Sequence, residues 1–290
     1  MKQKLLITLI SSAFLLSACG GSDGDSNGSD THSGNGNGGQ TTNPKDDLGQ
    51  STGSVIEPLD LNHKYNVLYS FAPSTGLVSD TEVKQDLKGI ITSFDAYQIK
   101  GDIIAKEIQG NKNYALARLA KAIVEKTDSK TGKVETTELS KYVNDSYYYF
   151  VYTPLAKKLI ADGKTIQCTD LNSTQARLTN GGNNSNFITP TIRNASINIK
   201  EDGRINAQFT VQTNNGETTY LGSIPWSDYS NSYNNFNMLG ISTQSGQSNQ
   251  NGLLAVSKNG DNSIVLGASY HITIANQAKY EGLASMTCNF

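Results

Sequence analysis

The second half of the chain alternates apolar and polar residues with a period of two, and this pattern constrains its fold more than any other feature. Two alternating runs, 197–199 and 205–211, are joined by Asp202-Gly203. Alternation indicates strands with one buried face, and an Asp-Gly pair favours a two-residue hairpin turn. The pattern predicts about eight largely antiparallel strands, over residues 165–169, 197–199, 205–211, 218–224, 237–243, 253–258, 263–275 and 280–290.

The residues before this half carry spacings typical of helices. Ser79 and Glu82 form a capping box, and the apolar residues after them recur on one helical face. These residues are Val83, Leu87, Ile90, Ile91 and Phe94. Further helices are expected over 114–124, over about 137–143, and after Pro154, where Gly163 supplies a C-terminal cap.

Together these patterns predict an α+β fold. A mainly helical domain over 55–164 is expected to precede an antiparallel β-barrel-like or sandwich domain of about eight strands over 165–290. A barrel or sandwich would also protect sheet edges from pairing with other chains.

Residues 1–18 have the composition of a secretory signal peptide. Lys2 and Lys4 precede an apolar stretch over 5–16, which is too short for a transmembrane helix. The following Leu16-Ser17-Ala18-Cys19 resembles the lipobox of bacterial lipoproteins. That resemblance implies cleavage before Cys19 and its modification with acyl chains such as palmitate. Gly20, where an aspartate often signals inner-membrane retention in that family, favours the outer membrane.

Residues 19–54 are expected to form a flexible tether between the lipidated cysteine and the folded part. The stretch 20–50 contains nine Gly, five Asp, four Ser and four Asn, and Leu48 is its only aliphatic residue. Such a segment buries too little apolar surface to offset the entropy lost on ordering.

The chain has three cysteines, which is an odd number for an exported protein. Assigning Cys19 to the lipid leaves Cys168 and Cys288, in the first and last predicted strands. Export to an oxidising compartment favours a disulfide between them, and two free buried thiols are the alternative.

Composition and motifs give no support for catalysis. A net charge of -2 offers no basic surface for nucleic acid, and the chain lacks H-E-x-x-H, G-x-S-x-G and C-x-x-C patterns. We therefore predict no enzyme activity, no catalytic residue and no metal site. The alternative is an envelope hydrolase whose carboxylates meet only in the folded chain.

Two histidines lie outside the tether. His271 falls on the face of strand 263–275 opposite Tyr270 and Ile272, so it is expected to face solvent; His63 lies in the segment that leads into the folded part. No cofactor is predicted, although one histidine can suffice to bind haem, so His271 or His63 is the candidate haem ligand.

The segment 225–236 combines rigid aromatic residues with Ser and Asn, which is typical of recognition loops. Its candidate ligand-binding residues are Trp226, Tyr229, Tyr233 and Phe236. The alternative is that Trp226 and Phe236 cover the end of the sheet. The aromatic run 147–152 is expected to lie in the core.

The chain is similar in plan to certain surface lipoproteins. These are the transferrin-binding protein B, factor H-binding protein and hemophilin kinds. The shared features are a lipidated cysteine, a Gly-rich tether, a first folded domain and a C-terminal module of about eight strands. The resemblance implies a ligand-binding or handle domain before a small β-barrel. The chain departs from them in its predicted helical first domain.

The expected function is therefore that of an outer-membrane lipoprotein, displayed on the cell surface, which binds a ligand without catalysis. The expected partners are the membrane, through the lipid, and a host or envelope protein or haem. The alternative is a periplasm-facing structural lipoprotein of an envelope or secretion assembly.

Overall fold

The computed structural model describes residues 53, 55, 57–71, 74–142, 145–160, 163–180, 190–214, 216–225, 239–242, 246–248, 252–273 and 279–290. The described residues contain no α-helix, and their regular elements are twenty strands. The first ten are β1 Tyr65–Phe71, β2 Ser74–Thr81, β3 Val83–Gln85, β4 Ile91–Phe94, β5 Tyr97–Lys100, β6 Ile104–Asn111, β7 Tyr114–Ala120, β8 Ile123–Thr127, β9 Val134–Glu138 and β10 Tyr147–Tyr152. The other ten are β11 Thr165–Ser173, β12 Arg177–Asn180, β13 Thr191–Ile199, β14 Ile205–Thr213, β15 Gly216–Ile224, β16 Leu239–Ser242, β17 Gly246–Ser248, β18 Leu254–Lys258, β19 Ser263–Thr273 and β20 Lys279–Asn289.

These strands form three antiparallel sheets. The first sheet has the order β2-β1-β10-β7-β6, and the second sheet has the order β3-β4-β5-β8-β9. The two sheets share one apolar core, in which Tyr147 and Tyr149 of the first sheet meet Phe94 and Tyr97 of the second. Residues 65–152 therefore form a layered β structure.

The predicted α+β fold with a helical first domain is wrong. The residues assigned to the first helix form β3 and β4, joined by a turn over 86–89 in which the Asp86 carboxylate accepts hydrogen bonds from the Lys88 and Ile90 amides. Leu87, counted as part of the helical face, is fully exposed in this turn. A four-residue turn between two short strands thus reproduces the apolar spacing of a helix.

The second predicted helix failed for a different reason. Residues 114–124 form β7 and the start of β8, and every residue of β7 after Tyr114 is buried. Sheets cover this strand on both faces, so its sequence shows no alternation. The third predicted helix overlaps β9, and no helix follows Pro154 among the described residues.

The aromatic strand β10 lies in the middle of the first sheet, and the prediction that it belongs to the core is confirmed. Tyr147, Tyr149 and Val151 point into the core shared with the second sheet. Tyr148, Phe150 and Tyr152 point the other way, into a separate apolar cluster with residues of β18, β19 and β20. This strand therefore joins the two halves of the described structure.

The third sheet contains only strands from residue 165 onward, in the order β17-β16-β15-β14-β13-β11-β20-β19-β18, and its tenth strand, β12, also pairs with β20. It curves around its own apolar core, and we call it the half-barrel. Inside it, the Tyr220 hydroxyl of β15 donates a hydrogen bond to the His271 carbonyl of β19. All eight predicted strands overlap strands of this sheet, although β13 begins six residues before its predicted start. β12 and β17 were not predicted, and Asp202-Gly203 and Asn259-Gly260 form turns.

The first sheet packs directly on the half-barrel. Phe150 of β10 lies so near Gly267 of β19 that a Cβ atom on this glycine would be 2.2 Å from the Phe150 ring. Near the end of β10, the Lys258 amide donates to the Thr153 carbonyl over 2.9 Å. The close approach of the two layers therefore depends on a residue without a side chain.

Candidate functional site

A groove of about 530 Å³ lies on the outer face of the half-barrel, across four neighbouring strands. The groove is lined by Thr165 of β11, by Ser196, Ile197 and Asn198 of β13, by Asn206, Ala207 and Gln208 of β14, and by Leu221, Gly222 and Ser223 of β15. We refer to this set as the polar groove.

The strand register places the groove side chains in two rows. Thr165, Asn198, Asn206 and Ser223 are successive cross-strand partners and form the first row. Ser196, Gln208 and Leu221 form the second row in the same way. Cross-strand partners lie on the same face of a sheet, so the two rows project together from the outer surface.

Alternation along each strand explains why these polar side chains face outward. Ile197 and Ala207, which separate the two rows, are buried in the half-barrel core. The Ser223 hydroxyl donates to Asn206 Oδ1 over 2.8 Å, and Asn198 Nδ2 donates to the Lys164 carbonyl over 3.1 Å. Two of the groove amides are therefore held in position before any ligand arrives.

The chemistry of the polar groove is that of uncharged hydrogen bonding. Its described lining residues include amides, hydroxyls and the 37% exposed Leu221, but no charged or titratable side chain. Amides and hydroxyls both donate and accept hydrogen bonds. This lining suits hydrogen bonding to an uncharged polar ligand.

A buried ionic cluster lies between the first sheet and the half-barrel. The Arg177 guanidinium of β12 donates to the Glu281 carboxylate of β20, to the Ser146 carbonyl over 2.7 Å and to the Ser70 hydroxyl of β1 over 3.2 Å. It also lies over the Tyr148 ring, 5.4 Å from the ring centre. Since the Arg177 and Glu281 side chains are only 2% and 9% exposed, this cluster joins the layers and offers no surface to a ligand.

A second buried arginine joins the same layers nearby. Arg118 of β7 makes two hydrogen bonds, of 2.6 and 2.7 Å, to the Glu107 carboxylate and a third to Gln175 Oε1. Glu107 has a positive φ of 48° at an irregularity in the pairing of β6 with β7. Bulges of this kind redirect side chains, and here the bulge residue supplies the partner of a buried arginine.

The two candidate haem ligands contact different carboxylates, and neither lines the polar groove. His271 is half-buried, with Nδ1 3.5 Å from Glu281 Oε2 at the edge of the buried cluster. His63 is exposed, with Nδ1 2.8 Å from Asp60 Oδ2. The face of β19 expected to be open to solvent is covered by the first sheet at Val265 and Gly267.

Titration of His271 is expected to make folding stability depend on pH. Burial lowers the pKa of His271, while Glu281 opposes that shift and Arg177 adds to it. The folded chain therefore binds this proton less tightly than the unfolded chain, whose histidine pKa is about 6.5. Stability should fall as pH drops from about 7 through the lower pKa of the folded state.

Urea unfolding across this pH range measures the effect. The variant His271→Gln should depend less on pH than the unsubstituted protein, and a variant of the exposed His63, which lies outside the buried cluster, is the matched control. An equal pH dependence in the His271→Gln variant and the unsubstituted protein would contradict the assignment.

The predicted disulfide is present in the structure. Cys168 of β11 and Cys288 of β20 are cross-strand partners, and their sulfur atoms are bonded. Both cysteines belong to the half-barrel core. The bond thus joins the first and last long strands of this sheet.

Other predicted site residues lie outside the described part of the chain. These are Cys19 and the aromatic residues Trp226, Tyr229, Tyr233 and Phe236. In the sequence these aromatic residues lie between β15 and β16, and Trp226 is three residues after Ser223 of the polar groove. Their roles stay predictions.

The described residues include no group of three or more His, Cys, Asp or Glu side chains arranged to hold a metal ion. They also include no helix long and apolar enough to cross a membrane.

Sequence reasoning missed both the polar groove and the ionic cluster. The alternate uncharged polar residues 196, 198, 206 and 208 were visible on both sides of the Asp202-Gly203 turn. They could have identified a neutral outer face. No local pattern pairs Arg177 with Glu281, which lie 104 residues apart.

Comparison of the chain with models of protein families, with curated proteins and with solved structures found no match.

Proposed function

We propose that this chain is a lipid-anchored outer-membrane protein that binds a ligand at the cell surface without catalysis. The observation that carries the proposal is the polar groove, whose side chains are set in register on the outer face of the half-barrel. Its described lining supplies hydrogen-bonding groups and one exposed apolar side chain, but no acid, base or nucleophilic pair. The proposed partner is a host or envelope macromolecule.

Two further features support an exported lipoprotein. The sequence Leu16-Ser17-Ala18-Cys19 offers a site for the lipid, and the Cys168–Cys288 disulfide suits an oxidising compartment.

Protease treatment of intact cells tests the surface location, with a periplasmic protein as the leakage control. The chain should be degraded while the control survives. Survival of the chain until the outer membrane is opened would instead favour the alternative, a periplasm-facing structural lipoprotein.

Replacing the anchor residue provides the matched test of lipidation. The variant Cys19→Ala should incorporate no labelled palmitate, because it lacks the thiol that accepts the acyl chain. The tether variant Ser26→Ala should be labelled like the unsubstituted protein. Labelling of Cys19→Ala would contradict the lipoprotein assignment.

Haem is the alternative ligand, and it depends on His271 or His63 because the described groove lining contains no histidine. A Soret band on addition of hemin that disappears in His271→Ala or His63→Ala would favour this alternative over the polar groove.

A further inference from the structure

We propose that the polar groove recognises an uncharged glycan chain that lies across strands β11, β13, β14 and β15. This inference rests on the proposed binding function and names the chemical class of its ligand. It is carried by the chemistry of the lining, by the lack of charge among its described residues, and by the position of the groove on a sheet face.

The lining matches the hydrogen-bonding character of sugar hydroxyls. A sugar hydroxyl both donates and accepts, and so do the side chains of Asn198, Asn206, Gln208 and Ser223. Asn206 and Ser223 already contact each other, which lowers the entropy lost when a ligand fixes them. Leu221 is 37% exposed beside Gln208, where it can contact the apolar C–H face of a sugar ring.

The charge distribution favours a neutral ligand over an anionic one. Phosphate and carboxylate groups are usually bound by arginine or lysine, and the described groove lining contains neither. Arg204, at the turn beside these strands, lies 3.4 Å from the Asp202 carboxylate and is paired with it. A charged ligand would therefore lose hydration without gaining a counter-charge inside the groove.

The position of the groove disfavours an extended peptide. A peptide commonly binds a sheet by adding a strand at an edge, where backbone groups are free. The groove lies over strands that pair with each other, from Thr165–Asn198 at one side to Asn206–Ser223 at the other. The ligand must therefore be held by side chains, and among the described lining residues only Leu221 offers an exposed apolar side chain.

Titration calorimetry with the full-length protein in detergent micelles tests the ligand class. The neutral probes are maltohexaose, cellohexaose, mannohexaose and a released neutral N-glycan, and the anionic probe is oligogalacturonate. At least one neutral probe should bind, and oligogalacturonate should bind more weakly. Tighter binding of the released N-glycan would indicate that the natural ligand is the glycan of a glycoprotein. Tighter binding of a hexaose would indicate a free polysaccharide.

The double variant Asn206→Ala/Gln208→Ala should weaken binding of the neutral probe about tenfold, since tenfold corresponds to about 1.4 kcal/mol, which is in the range expected for two lost hydrogen bonds. The matched control Asn62→Ala/Gln98→Ala removes the same residue types from exposed positions outside the groove and should bind normally. Both variants should unfold at the same temperature as the unsubstituted protein.

The possible failures are distinct. Tighter binding of oligogalacturonate, or neutral binding that the groove variant does not weaken, would overturn the glycan assignment. If no glycan binds but an uncharged Ser/Asn-rich peptide or hemin binds and the groove variant weakens that binding, the ligand class is wrong and the proposed binding function stands. If the groove variant affects no probe, the groove fails as the site of both proposals.

Discussion

Replacing Glu281 by alanine is expected to lower the free energy of unfolding by about 3–5 kcal/mol, because it leaves a buried guanidinium without its counter-charge. Arg177 directs two of its nitrogen atoms to the same carboxylate oxygen, and both side chains are almost fully buried. The Ser70 hydroxyl donates to that oxygen as well, over 2.8 Å. One substitution therefore disrupts contacts from β1, β12 and β20 at once.

Thermal and urea unfolding of the full chain measure this loss. For a protein of this size the expected decrease in Tm is about 6–20 °C. The conservative variant Glu281→Gln keeps the side-chain volume and should cost less than Glu281→Ala. If Glu281→Ala fails to fold, the loss of stability can still be measured on Glu281→Gln.

The matched control is Glu125→Ala, which breaks a surface ion pair. Glu125 lies 2.6 Å from Lys100, and these side chains are 28% and 51% exposed. Exposed pairs contribute about 0–1 kcal/mol, so the control should change stability little. An equal effect of Glu281→Ala and Glu125→Ala would show that the buried cluster does not stabilise the junction between the layers.

The difference between the predicted and observed folds follows from where each strand is buried. In the half-barrel, β13 and β14 have one buried and one polar face, so their alternation was visible and their positions were predictable. In the first half, β7 and β10 are buried on both faces, and burial on both faces removes the alternation. Hydrophobic periodicity shows which side chains of a segment face solvent, so it identifies a strand only when one face of that strand is exposed.

Short strands added a second source of error. β3 and β4 contain three and four residues, and the turn over 86–89 places Leu87 in solvent. Strands of this length are too short to establish a period, so the longer helical pattern fitted the same residues better. Gly89, with a φ of +85°, marks the turn and was a signal against the helix.

The candidate site could be predicted only in part for a related reason. The residue types that line the polar groove were visible as alternating polar positions, but the register that aligns them depends on how four strands pair. Asn206 meets Ser223 through the hairpin that follows β14, whereas Thr165 meets Asn198 across 33 residues. Local sequence patterns predict neighbours that are joined by a hairpin, but they give no information on strands that pair across a long stretch of chain.

Replacing both Cys168 and Cys288 by alanine is expected to lower the free energy of unfolding by about 4–5 kcal/mol. The bond joins residues 120 positions apart, and the chain-entropy estimate for a loop of that length is about 5 kcal/mol. The stabilisation acts on the unfolded chain, which the bond restricts. It should therefore be absent when the unsubstituted protein is unfolded in the presence of a thiol reductant.

Comparing the double variant with the oxidised and reduced unsubstituted protein separates loop entropy from core packing. If loop entropy dominates, the double variant and the reduced protein should unfold at similar urea concentrations, well below the oxidised protein. A double variant within about 1 kcal/mol of the oxidised protein would contradict the prediction. β11 and β20 are neighbours near the middle of the strand order, so the bond links the two sides of the half-barrel. When the bond is absent, the unfolded chain is no longer restricted by this link.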